Sequence, residues 1–118
     1  MEMAAQIAVA LLAALHIYIL VLEMFLWDKP RGLRAFGLTP ELAKATRTLA
    51  ANQGLYNGFL AAGLIWGLGC GQRGVPVLIF FTICVVVAGV FGAVTANRKI
   101  LFVQAIPGAV ALALVLAA

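Results

Sequence analysis

Charged residues are scarce in this chain: eight Lys and Arg, four Asp and Glu, and one His among 118 residues. They make up 10% of the sequence, whereas a soluble domain carries about 25%. Too few are present to cover a water-facing surface, which excludes an ordinary soluble domain. A nucleic-acid-binding face is excluded with it, because no soluble surface exists on which to build one. Cysteine is also scarce. Cys70 falls in a turn and Cys84 mid-helix, too far apart in depth for a disulfide. There is no CxxC, and no His/Cys set with metal spacing; His16 and Glu23 alone offer too few ligands, so no metal is assigned. Ser-His-Asp, HExxH and Gly-rich phosphate-loop patterns are missing, so neither a nucleophile nor a cofactor is indicated.

What fills the chain is hydrocarbon. Hydrophobic residues make up 65%, in long runs of which each membrane crossing needs about 20 residues. The runs place spans at about 3–27, 49–68, 76–96 and 100–117. The expected fold is all-α: a polytopic membrane protein, one four-transmembrane-helix bundle filling residues 1–118, with the lipid bilayer as its principal partner. The first run lacks a basic leader and holds His16 and Glu23, so it reads as a span and not as a cleaved signal. "WDKPRG" ends it, and Trp27 suits the aromatic belt. In "FGLTPEL", Thr39 is an N-cap, Pro40 a first-turn residue and Glu41 a dipole partner, which predicts one rod to about Gly69. "GCGQRGVP" reads as a turn, "NRK" at 97–99 as a second, and Pro107 predicts a kink in the fourth span.

The cations give the orientation. Lys29, Arg31, Arg34, Lys44, Arg47, Arg98 and Lys99 lie after the first and third spans, and only Arg73 lies on the opposite side. The positive-inside rule places segments 28–48 and 97–99 in the cytoplasm and both termini outside, in the inner (cytoplasmic) membrane. So strong a bias argues against dual topology.

The polar residues inside the spans share a depth. Glu23, Asn52, Gln53, Thr95 and Gln104 each fall in the cytoplasmic third of their helix. At about 100° per residue, His16 and Glu23 share a stripe, and Asn52, Gln53, Tyr56 and Asn57 cover one arc of the second span. A carboxyl group in hydrocarbon needs a partner or water. The pattern therefore predicts a polar pocket open to the cytoplasmic leaflet, with Glu23, His16, Asn52, Gln53, Tyr56, Asn57, Thr95 and Gln104 as ligand- or proton-binding candidates. Each also has a plainer reading: interhelical hydrogen bonding for the amides, packing for His16 and Tyr56, and snorkelling for Glu23. Arg47 and Arg98, just above this level, would hold an anionic group or lipid phosphate. Small residues four apart, Gly54 and Gly58 among them, would let helices approach closely.

"HIYILVLEMFLW", "FGLTPE", "AANQGLYNGFLAAGLIWG", "GVFGAVT" and "LFVQAIPGAVAL" together resemble the small four-helix integral membrane family known as domain of unknown function 1304. The resemblance runs nearly the full length and implies an inner-membrane protein with no established activity. The matching residues are His16, Glu23, Trp27, Asn52, Gln53, Gly54, Tyr56, Asn57, Thr95, Gln104 and Pro107. A fainter similarity is to the membrane-associated eicosanoid and glutathione enzymes, through Arg47, Asn52 and Gln53. Their glutamate and proline on the same helix have no counterpart here, which argues against glutathione chemistry.

Two functions follow. One is a bundle, alone or as a homo-oligomer, that binds or transports a small lipophilic or amphiphilic molecule at the polar level. The other is a membrane-embedded enzyme acting on a lipophilic substrate, with Glu23 or His16 as acid/base. An accessory subunit whose polar residues only pin its fold is the third.

Overall fold

The structure, a computed structural model, describes all residues from Met1 to Ala118. It is all-α, with five helices and no strand: α1 (Met3–Met24), α2 (Pro30–Phe36), α3 (Pro40–Gly69), α4 (Val75–Thr95) and α5 (Ile106–Ala117). A 3-10 turn, Gly71–Gly74, leads into α4, and a π-helical turn, Leu101–Ala105, leads into α5. Two stretches are long and apolar enough to cross a membrane, Met3–Met24 and Gly71–Thr95, while Leu101–Ala117 is apolar but shorter. The expectation of four equivalent spans is therefore met only in part. α3 has the length, but Asn52, Gln53, Asn57 and its polar first turns dilute its apolar character.

Contacts divide the chain into two compact units. One comprises Met1–Ala13 with Leu60–Ala118, the other Ala14–Phe59. In the first, α4 buries Leu78, Thr82, Val85 and Gly89, a spacing of four, three and four that keeps one helix face inward. α5 and the turn before it bury Ala105, Gly108, Ala111 and Val115. The small residues bring these elements together: a Cβ on Gly89 would lie 2.5 Å from the Ala105 backbone nitrogen, and one on Gly108 2.7 Å from Val85 Cγ1. The buried Thr82 hydroxyl donates to the Leu78 carbonyl of its own helix at 2.7 Å, so it needs no partner from elsewhere. Pro107 has no N–H and its ring would clash with the carbonyl four residues back. The turn before it widens instead, and the Ile106 amide bonds the Leu101 carbonyl.

The second unit departs most from the expected outline. α1 stops at Met24, three residues before Trp27, and segment 28–38 is not a plain loop but holds α2. Trp27 is drawn out of the helix by its partners. Its indole N–H donates to Thr46 Oγ1 at 3.0 Å, and its ring lies 4.7 Å from that of Phe36. Pro30 opens α2, and Gly37 closes it in the left-handed conformation (φ 64°). The Gly37 and Leu38 amides both return to the Leu33 carbonyl. Thr39 then caps α3, its hydroxyl oxygen accepting from the Leu42 amide at 3.1 Å.

Gly37 gives a clean local test, because a Cβ there would meet nothing within 4 Å. Only the backbone resists substitution. Gly37→Ala is expected to cost about 1 kcal/mol, seen as faster amide exchange at residues 33–38. Gly37→Asn should cost less, because asparagine tolerates the left-handed region.

Candidate functional site

The site lies within the unit formed by residues 14–59 and is built from α1 and α3. Gly54 and Gly58 set the approach of the two helices. A Cβ on Gly54 would come within 2.6 Å of Met24 Cγ and 3.1 Å of Glu23 Cβ, and one on Gly58 within 2.7 Å of Leu20 Cδ1. Gln53 and Asn57 flank these glycines on α3, so removing two side chains from the helix face lets two amides reach across.

They meet Glu23. Its side chain is 2% exposed, and each carboxylate oxygen takes one amide donor. Asn57 Nδ2 donates to Oε1 at 2.6 Å, and Gln53 Nε2 donates to Oε2 at 3.0 Å. The same Asn57 nitrogen lies 3.3 Å from the Gln53 carbonyl, so both of its hydrogens have acceptors. The two contacts differ in cover: Asn57 is buried, whereas Gln53 is exposed. The Oε1 contact is thus locked inside, and the Oε2 contact sits behind a side chain that can turn outward. No buried side-chain nitrogen or oxygen in the chain lacks a hydrogen bond.

The other predicted residues are placed differently. His16, on the same stripe of α1 as Glu23, is completely buried and is hydrogen-bonded or otherwise engaged. Asn52 is exposed, so of the neighbouring amides at 52 and 53 only the second faces Glu23. Tyr56 is also exposed, its ring 6.0 Å from that of Phe59. Thr95 and Gln104 belong to the other unit. Thr95 is exposed and its hydroxyl donates to the Phe91 carbonyl at 2.7 Å; Gln104 is half-buried and engaged. Arg47 reaches Asp28 at 3.6 Å, and Arg98 is exposed. No three His, Cys, Asp or Glu side chains stand together as metal ligands would.

Depth along a helix does not rank Asn57 above Asn52, because rotation about α3 decides that. The overlooked signal was the spacing of Gln53 and Asn57, four apart and alternating with Gly54 and Gly58.

A model of a protein family of unknown function, DUF1304, matches residues 10–116. The uncharacterized protein YpaA of Lactococcus lactis subsp. lactis (strain IL1403) is 31% identical over 101 residues, covering 83% of this chain and 85% of that protein. No solved structure matches the chain.

Proposed function

The chain belongs to the DUF1304 family, and from that premise we propose that it is an inner-membrane protein that binds a small lipophilic or amphiphilic cation at Glu23. In this reading α1, α3, α4 and the α5 segment all cross the bilayer. The termini lie outside, and the cations of 28–48 and 97–99 face the cytoplasm. The observation that carries the proposal is a carboxyl group 2% exposed whose Oε2 is hydrogen-bonded by the amide of the exposed Gln53. A cation arriving from the cytoplasmic leaflet would displace Gln53, while Asn57 holds Oε1 and keeps the carboxylate aimed. Removing a charged group from water is costly, so an intramembrane carboxyl group is by default a functional one.

A hydrophobic carbodiimide in lipid nanodiscs tests this. The carboxyl O–H adds across one C=N bond of the reagent, and the adduct gains the mass of one whole carbodiimide. Glu23 is expected to take up one equivalent, and Gln53→Ala to speed the uptake several-fold by uncovering Oε2. Tetraphenylphosphonium should slow labelling, and Glu23→Gln should abolish binding of that cation. Equal binding by wild type and Glu23→Gln would sink the proposal.

One observation favours a second reading. Both carboxylate oxygens already have donors within the chain, as they would in a clasp that only fastens α1 to α3. In that case Glu23→Gln would lower stability, and no cation would protect Glu23 in the wild type.

A further inference from the structure

The geometry points to a second binding site, separate from Glu23: Arg31, Arg34 and Tyr18 hold the phosphate of an anionic phospholipid of the cytoplasmic leaflet. The inference rests on the membrane reading above but not on any ligand at Glu23.

The case begins with how α2 is seated. Gly32 is buried, and a Cβ there would lie 2.0 Å from the Leu26 carbonyl oxygen and 2.8 Å from that of Trp27. Phe36, one turn on, packs its ring against Trp27. These contacts fix which side of the short helix faces the turn at Leu26 and Trp27. At about 100° per residue, Arg31 and Arg34 then fall together on the opposite, outer side, and both are exposed.

Arg31 is not simply extended into water. Its Nη1 lies 3.5 Å from the hydroxyl of Tyr18 on α1. Tyr18 is six residues before the end of α1, about 9 Å down its axis, and is 45% exposed. The guanidinium is therefore directed back along the flank of α1. It ends beside a phenol that can donate to a phosphate oxygen. Arginine suits this role because its planar fork matches phosphate geometry.

The surrounding charge agrees. Lys29, Arg31, Arg34, Lys44 and Arg47 are all exposed in this unit. Asp28 is engaged by Arg47 at 3.6 Å, and Glu41 stands in the first turn of α3. Neither acid is paired with Arg31 or Arg34, which share a face of α2.

The test uses the full chain in nanodiscs of equal parts phosphatidylglycerol and phosphatidylcholine, with retained lipid counted by native mass spectrometry. Wild-type protein is expected to retain phosphatidylglycerol preferentially. Diffuse attraction is worth about fivefold per cation near the surface, so Arg31→Gln with Arg34→Gln should lose more than the roughly thirtyfold that two such charges account for. Lys29→Gln with Lys44→Gln, the same change in charge, should lose much less. Tyr18→Phe should lose part of the preference with no change in charge, and circular dichroism would check that its helices persist. An equal loss from the two lysine changes, or none from Tyr18→Phe, would reduce the effect to diffuse attraction and overturn the site. Displacement of the lipid by inorganic phosphate would overturn it in favour of a soluble anion. Release of wild-type protein from membranes by alkaline carbonate would instead defeat the membrane reading itself, with every variant behaving alike.

Discussion

Asn57→Leu is expected to destabilise the protein by about 3 kcal/mol, the upper end of the cost of leaving a buried hydrogen-bonding group without its partner. The change removes the 2.6 Å donor to Glu23 Oε1 and places an apolar side chain against a carboxyl group with no water to replace the lost bond. Gln53 cannot compensate, because its own amide is spent on Oε2. Reversible unfolding in mixed micelles, followed by near-ultraviolet circular dichroism, measures the loss. The double change Glu23→Leu with Asn57→Leu should recover most of it, since apolar replacement of both partners removes the need for either. Gln53, being exposed, can then turn outward. The cycle separates two roles of one carboxylate: the double variant should be stable and yet unable to bind the phosphonium probe. If Asn57→Leu is silent, Glu23 is not held as described.

Gly89→Val is expected to have a comparable effect, about 3 kcal/mol, at the upper end of what overpacking costs. A Cβ at 89 would meet the Ala105 backbone nitrogen at 2.5 Å, its Cα at 2.7 Å and its Cβ at 2.9 Å. Backbone cannot rotate away, so α4 and the π-helical turn would have to separate. Gly63 offers the contrast. A Cβ there would come within 2.4 Å of the Phe81 ring, but a ring can swing aside, so Gly63→Ala should cost less than about 1 kcal/mol. Ala105→Gly should fail to rescue Gly89→Val, because it removes one of the three obstructing atoms and leaves the other two. Thermal unfolding of the four variants in one detergent would decide. A full rescue would mean that a side chain, and not the backbone, sets this contact.

Much of this architecture is legible in particular residues. Thr39, Pro40 and Glu41 predict the start of α3, and the Thr39 hydroxyl does accept from the Leu42 amide. Capping is local chemistry, readable within four residues. The irregularity expected at Pro107 is also local, because proline lacks a donor wherever it stands; that it takes the form of a widened turn before the proline depends on how Ala105 meets Gly89. α2 is not legible in the sequence, because seven residues with two arginines and no capping side chain carry little periodicity. Its existence depends on Gly32 fitting against the Leu26 carbonyl, a contact between two parts of the chain. Trp27 was expected inside the first helix for the same reason: nothing local announces that Thr46 and Phe36 will claim it.

By itself the sequence determined that the chain is helical and far more apolar than an average soluble domain. Composition and the spacing of proline and glycine act within a few residues, so they can be read without any tertiary contact. It also determined that Glu23 must find partners, since a carboxyl group in such a run cannot be left alone. Only the tertiary structure decided who those partners are. Gln53 and Asn57 were chosen over Asn52 because Gly54 and Gly58 turn one particular face of α3 towards α1, and helix rotation is a property of packed pairs that no single helix encodes.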